Sequence, residues 1–334
     1  MVTRSIARLL RPAFAALAFF ATTAASPPLP LIPEDNPATR AKIELGRRLF
    51  YDTRLSVTGV YSCGSCHMPA RAFTNGRAVG IGATGEANAR NVPSLANVVY
   101  RPVLTWADPK LRRLEDQLLV PLLGTHPVEL GGREDKILTV MAEDATYRGL
   151  FVQSFAGEIT LANVAKAIAT FERTLISFDS PWDRYRDGDN GAISPQAKRG
   201  EALFFSERTQ CFRCHPAPHF TDSYKSADLP YEEIAFHDIG LDVPDTTRAR
   251  APSLRNVAVT APYMHDGSLA TLADVIDLYA AGGRAAARGR PSKSTYIRGF
   301  VLSDAEKREL IAFLESLTDT GFLNDRRFSD PFAR

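Results

Sequence analysis

Apolar residues along this chain recur at spacings of three and four, and stretches alternating apolar with polar are scarce. That period belongs to helices with one buried face. Val164, Ile168, Phe171 and Leu175 form one such stripe, opened by Thr160. Leu310, Ile311, Leu314 and Leu317 form another, opened by Ser303 with Glu306 at capping-box spacing. Ser194 followed by Pro195 predicts a helix start, and Thr271 predicts one whose helix ends at Gly282-Gly283. Two more stripes have the same i, i+3, i+4, i+7 order: Leu114, Gln117, Leu118, Pro121 and Leu272, Val275, Ile276, Tyr279. The fold class this pattern predicts is all-α.

The stripes fall into two halves that resemble each other. Gly46-Arg-Arg-Leu-Phe-Tyr-Asp is echoed by Gly200-Glu-Ala-Leu-Phe-Phe-Ser, and Ala72-Phe-Thr-Asn by His219-Phe-Thr-Asp. Pro93-Ser-Leu-Ala-Asn-Val98 returns as Pro252-Ser-Leu-Arg-Asn-Val257, and Phe171-Glu-Arg-Thr-Leu175 as Phe313-Leu-Glu-Ser-Leu317. Two copies predict two domains related by internal duplication, residues 26–180 and 181–334. A linker rich in Asp, Gly, Asn and Pro spans Asp179–Ser194.

Residues 1–25 do not belong to either copy. Arg4, Arg8 and Arg11 precede the apolar run Ala13–Ala21, and small residues follow to Ala25. This is the layout of a cleaved secretory signal peptide. No other stretch approaches the roughly 20 apolar residues of a membrane span. A soluble, periplasmic protein with no membrane span after cleavage is the expectation. The composition of the whole chain is globular, with 45% hydrophobic and 23% charged residues. Its 40 basic and 38 acidic side chains are spread along the chain, without the clustered basic excess of a nucleic-acid binder.

The chemistry lies in four cysteines. Cys63-Gly-Ser-Cys66-His67 and Cys211-Phe-Arg-Cys214-His215 are both C-x-x-C-H, the pattern of covalent haem attachment. The thiols add to haem vinyl groups and the adjacent His reaches the iron. Zinc would want third and fourth ligands close by, and a redox pair would sit in a βαβ pattern. Neither context is present, so two covalently bound haem c groups are expected. Each iron keeps one further axial position. On the matching helices Pro121 falls where Tyr279 falls. A phenolate can ligate iron and a proline side chain cannot. The first haem would then stay open beside His67, and the second would be closed by His215 and Tyr279. Met264 is the alternative second ligand. His219 and His237 read as structural or exposed, and Arg90 and Arg255 as candidate partners of haem carboxylates.

These motifs make the chain resemble the bacterial dihaem cytochrome c peroxidase and MauG superfamily over about residues 38–320. The resemblance rests on both C-x-x-C-H motifs, both Pro-Ser-Leu-x-Asn-Val motifs, Leu114-Glu-Asp-Gln117 with Pro121, and Ala261-Pro-Tyr-Met-His-Asp-Gly267. Leu104-Thr-Trp106-Ala-Asp-Pro and Pro121-Leu-Leu-Gly-Thr-His-Pro-Val-Glu-Leu-Gly131 are most similar to the MbnH-type branch. The resemblance implies a distal pocket of Gln117, Pro121 and Glu129, with Trp106 bridging the haems. It also implies one calcium ion held through Asn91 and carbonyls near Thr260 and Pro262. Glu129 has a physical role beside the analogy, since a buried carboxylate above the iron can take and return the peroxide proton. His126, near it, could do likewise, but an ordinary loop histidine is the simpler reading.

Three functions are open at this stage. One is an enzyme that uses hydrogen peroxide to oxidise a periplasmic partner protein; the branch implies a tryptophan side chain on a copper-associated partner. The second is a peroxidase reducing peroxide with electrons from a small redox protein. The third is a non-enzymatic dihaem electron carrier. All share one consequence: every cysteine is a thioether anchor, so no disulfide exists. Incubating the holoprotein with dithiothreitol is expected to leave its melting temperature unchanged; a drop would mean that two cysteines are cross-linked instead.

Overall fold

The structure is a computed structural model and describes residues 27–227, 235–241 and 248–333. The expected leader, residues 1–25, lies outside the described residues. The chain is mostly helical. Helices α1 (Arg40–Tyr51), α2 (Cys63–Cys66), α3 (Leu114–Leu123), α4 (Glu134–Glu143), α5 (Ala145–Phe155) and α6 (Leu161–Glu172) come first. Then follow α7 (Pro181–Arg186), α8 (Pro195–Phe204), α9 (Leu272–Ala280), α10 (Asp304–Glu315) and α11 (Thr320–Leu323). The all-α expectation misses one short ribbon, in which β1 (Phe236–His237) pairs antiparallel with β2 (Ala249–Arg250). No helix among the described residues is long and apolar enough to cross a membrane.

The capping residues act as the sequence indicates. Thr160 accepts from the Asn163 amide at the start of α6, and Ser194 from Ala197 at the start of α8. Thr271 with Asp274 and Ser303 with Glu306 form reciprocal capping boxes on α9 and α10. Each such cap contributes about 1 kcal/mol.

Two close helix crossings organise the two cores. α1 packs on α6, and α8 packs on α10. A methyl group on Gly46 would overlap the Ala167 carbonyl and lie 2.9 Å from Phe171 Cβ. One on Gly200 would overlap the Glu309 carbonyl and lie 2.9 Å from Phe313 Cβ. The bare backbone lets aromatic rings meet below each crossing. Phe50 lies 5.3 Å from Phe171 and 6.1 Å from Phe73, edge to face. Phe204 lies 5.0 Å from Phe313 and 5.9 Å from Phe220. These rings are fully buried, each stabilising the fold by roughly 1.5–3 kcal/mol.

A buried polar network joins the halves. Asn97 and Asn256 both adopt left-handed backbone, with φ of 58° and 61°. The Asn97 amide donates to the Leu175 carbonyl and the Asn256 amide to the Leu317 carbonyl. The Asn97 side chain bonds both backbone groups of Ser177, whose hydroxyl accepts from Asn256 and donates to Asp319. After Asp319 the chain returns to the first half. Phe322 and Phe328 pack around Phe73, and the Tyr51 hydroxyl donates to the Phe328 carbonyl at 2.6 Å. The second hydrophobic core therefore ends at Leu317, short of the expected segment end at 334.

Replacing either crossing glycine is expected to cost about 1–3 kcal/mol or more through overpacking. Gly149 is the control, an exposed glycine within α5 whose added methyl meets nothing within 4 Å. Urea unfolding of Gly46→Ala, Gly200→Ala and Gly149→Ala checks this, with Gly149→Ala neutral or stabilised by up to about 1 kcal/mol.

Candidate haem centres

Each proximal histidine is aimed by the chain that follows it. After α2, the backbone turns through left-handed Ala72 and Phe73 and brings the Phe73 carbonyl 2.7 Å from His67 Nδ1. In the second half Phe220, also left-handed, places its carbonyl 2.9 Å from His215 Nδ1. A carbonyl only accepts, so Nδ1 carries the proton and the Nε2 lone pair is left for iron. Burial pushes both imidazoles down, His67 to about 4, which keeps the neutral, ligating form. The repeated Pro-Ser-Leu motif fixes these turns. Ser94 Oγ donates to the Ala72 carbonyl, and Ser253 Oγ to the His219 carbonyl, both at 2.6 Å. The repeated Phe-Thr and Pro-Ser-Leu motifs thus do one job, holding the histidine.

The four cysteines are free thiols, half-buried beside these histidines. Cys63 and Cys66 are the ends of α2, and the turn Cys211–Arg213 carries Cys214 next to His215. A cavity of about 220 Å³ opens beside the second set. Cys211, Cys214 and His215 line it, and so do Leu272, Val275, Ile276 and Tyr279, the whole predicted face of α9. Two thiols and an imidazole with a free Nε2 are the donor set that haem c attachment requires, so the residues fit the group. Met264, with left-handed backbone at φ 74°, lines the same cavity. Burial pushes the Tyr279 phenol well up, so its phenolate needs a cation beside it.

The first half has no such residue on its matching helix. On α3, Leu114, Leu118 and Leu122 are buried, while Gln117 and Pro121 are half-buried. The C-terminal carbonyls of α3 hold the segment that follows. Leu130 N donates to Pro121 O at 3.0 Å, and Gly132 N to Leu122 O at 2.8 Å. Glu129 is clamped between, with its own carbonyl accepting from Ala83 N at 2.7 Å. Gly82 permits this approach, because a methyl there would strike the Val128 carbonyl. Burial raises the Glu129 carboxyl above its ordinary range, partly offset by a hydrogen bond with Asn88. Its charge reaches the Cys63 and Cys66 sulfurs through space and raises both thiols. His126 points to solvent, 93% exposed, with the Glu86 carboxylate 3.9 Å away.

Trp106 lines the second-half cavity and donates from its indole nitrogen to the Asn91 carbonyl at 2.7 Å. Asn91, Thr260 and Pro262 share that wall. The Asn91 side-chain nitrogen meets the carbonyls of Arg77, Ala78 and Pro262 at 3.0, 3.1 and 3.4 Å.

Other side chains depart from the sequence reading. Arg255 is held by the Asp183 carboxylate through two 2.8 Å bonds and stacks 4.0 Å from the Phe178 ring, so it is committed within the protein. The Arg90 guanidinium meets His265 Nδ1 at 3.3 Å. His219 is structural, 2% exposed and stacked on Tyr224 at 4.3 Å. His237 has a definite partner, Asp222 at 2.6 Å, which raises its imidazole to about 10. It lines the cavity near Cys214. Arg101 and Arg250, which no motif singled out, are buried on the same wall. One signal for Arg250 was present: it stands two residues before the second Pro-Ser-Leu, where the first copy has Asn91.

Known proteins resemble this chain over most of its length. Residues 40–191 match the family model described as di-haem cytochrome c peroxidase. The methylamine utilization protein MauG of Methylophilus methylotrophus is 35% identical over 85% of this chain and 84% of its own. The cytochrome-c peroxidase IdrP1 of Denitromonas iodatirespirans is 32% identical over 88% of this chain and 85% of its own. A solved MauG-like protein associated with microbial copper homeostasis is 41% identical. It superimposes with a TM-score of 0.88 over 92% of this chain and 97% of its own. The chain therefore belongs to the di-haem cytochrome c peroxidase and MauG family, and is a haem peroxidase-type oxidoreductase acting on peroxide.

Proposed function

We propose that the first half meets hydrogen peroxide and the second half passes the oxidising equivalents to a partner protein, with a tryptophan side chain as the group oxidised. One observation carries this reading: Tyr279 on α9 lines the same cavity as His215, whereas the matching face of α3 carries Pro121. Haem c, when bound, supplies the iron that binds peroxide and stores the oxidising equivalents. Cys63, Cys66 and His67 would hold one haem, and Cys211, Cys214 and His215 the other.

The remaining roles belong to the chain. Glu129, its carboxyl raised by burial, takes a proton from peroxide and returns one to the departing oxygen. Gln117 and Pro121 would stand with Glu129 beside the first haem, the first as a hydrogen-bond donor and the second as a filler without a lone pair. Tyr279 would help hold the second haem, as a phenolate ligand from the α9 side. Trp106 lies on the wall between the halves and carries charge across it. Asn91, with the carbonyls around it, fits one calcium ion once its amide turns the oxygen inward, an exchange of near-isosteric atoms. Thr260 and Pro262 complete that wall.

The paired glycine crossings, the paired Asn turns and the paired Phe carbonyls support an internal duplication, with residues 26–180 and 181–334 as its copies. Residues 1–25 would direct the chain to the periplasm. The copper-associated relative supports a copper-associated periplasmic partner as substrate. Met264 favours a second reading, because it reaches the same cavity. With Met264 as ligand the enzyme would reduce peroxide with electrons from a small redox protein.

The two readings separate by mutation. Tyr279→Phe is expected to abolish six-coordination of one haem in the optical and electron paramagnetic resonance spectra, and Met264→Leu to leave it. The reverse pattern would establish the second reading. Mixing peroxide with the diferric holoprotein tests the first half. Glu129→Gln is expected to slow the optical change by about 10²–10⁴-fold. In the parent protein the rate rises with pH as the carboxyl loses its proton, and that dependence disappears in Glu129→Gln. An unchanged rate would remove Glu129 from the reaction.

A further inference from the structure

Two guanidinium groups are buried at the junction of the halves with too few partners. Arg101 is 8% exposed and Arg250 3%. Arg101 Nη2 donates to the carbonyls of Ser94 and Ala96, and its Nη1 has no partner. Arg250 Nε donates to the Thr105 carbonyl at 2.9 Å, and its Nη2 has no partner. Both line a small cavity of about 10 Å³ together with Tyr100 and His219, and both line the large cavity as well. The charge of Arg250 opposes that of Arg101, and burial pushes both below the ordinary arginine range. A guanidinium does not escape such a site by losing its proton.

Two adjacent buried cations call for anions. Among the described residues no carboxylate hydrogen-bonds either group. Glu172 acts on Arg101 from nearby, but burial raises it to about 8 and its Oε2 has no partner. The two cations also reach different parts of the chain. Arg101 donates to the carbonyl of Ser94, the serine whose hydroxyl pins the Ala72 turn that aims His67. Arg250 shares the large cavity with Cys214 and His215, and its guanidinium lies 5.3 Å from the Trp106 ring.

We propose that Arg101 and Arg250 form one two-cation site that binds a porphyrin carboxylate from each haem, Arg101 from the first and Arg250 from the second. This rests on the two-haem reading. The guanidinium fork suits a carboxylate and holds it ionised. Each arginine is then a positioning residue. It fixes one macrocycle edge against the wall that carries Trp106, and as a cation it disfavours the ferric state of its haem.

The test uses the purified holoprotein, with haem content measured first by pyridine haemochrome. Fewer than two haems per chain in the parent would overturn the two-haem reading itself. Arg101→Met and Arg250→Met are then compared by resonance Raman spectroscopy and redox titration. Each is expected to shift the carboxylate bending mode of one haem only and to lower that haem's midpoint potential. The potential also gains a pH dependence in the mildly acidic range, where the released carboxylate titrates. If a Met variant fails to load haem, Arg101→Lys and Arg250→Lys carry the test. They keep the charge and lose the fork, so the bending mode shifts while the potential stays near that of the parent. A lower melting temperature with unshifted modes and potentials would overturn the proposal, leaving the arginines a purely structural role.

Discussion

Two helix crossings without room for a methyl group set the rest of this molecule in place. Gly46 lets α1 settle on the α6 backbone at Ala167, and Gly200 lets α8 settle on α10 at Glu309. The crossing fixes where Phe50 and Phe204 point, and each ring meets the phenylalanine that follows the haem-attachment motif. That phenylalanine offers its carbonyl to the proximal histidine. A backbone contact on one side of each half is thereby transmitted, through two rings and one hydrogen bond, to the orientation of a ligand nitrogen. Because protein cores are packed like crystals, a shift of a few tenths of an ångström at the crossing reaches the imidazole.

The polar interior follows a stricter rule than the apolar one. The Asn97–Ser177–Asn256–Asp319 network joins the two halves with its bonds made, and Arg255 is fully engaged by Asp183. Arg101 and Arg250, by contrast, each leave a buried guanidinium nitrogen without a partner on the wall of the large cavity. Buried polar groups in folded proteins have partners, so such a pair identifies the face at which the chain meets a group that is not protein. The same wall holds Trp106, Asn91 and Pro262. Charge, the indole and the carbonyl cluster are gathered at one junction because the β1–β2 ribbon brings Arg250 and His237 to it.

Much of this was legible in the sequence, for local reasons. Caps, apolar stripes and C-x-x-C-H depend on residues close together in the chain, and Thr160, Ser303, Tyr279 and the four cysteines stand where spacing puts them. The rest depends on tertiary packing. Arg101 sits in no motif, and only folding shows it buried without a counter-charge. Arg255 had the flanking position expected of a carboxylate partner, but Asp183, distant in sequence, had already taken it. The return of Phe322 and Phe328 to the first core leaves no periodic trace, since two aromatic anchors on a short segment have no period. His237 read as incidental because its partner Asp222 comes from another loop.

The functional difference between the halves comes from few atoms on a shared frame. Both proximal histidines have the same hydrogen-bond acceptor, and both following turns are pinned by the same serine. The frame therefore does not distinguish the halves. The proposed difference lies on α3 and α9. A proline within α3 removes a donor from its helix and offers no lone pair, while α9 carries a phenol to the cavity. The energetics point the same way. A buried phenol resists ionisation, so on the proposed reading Tyr279 would ionise only with a cation bound beside it. A buried carboxyl such as Glu129 resists ionisation too, which suits the proton exchange proposed for it. On that reading burial would give the two oxygen groups opposite duties, one to hold a metal and one to move protons. A frame repeated in both halves can separate such duties without altering its backbone.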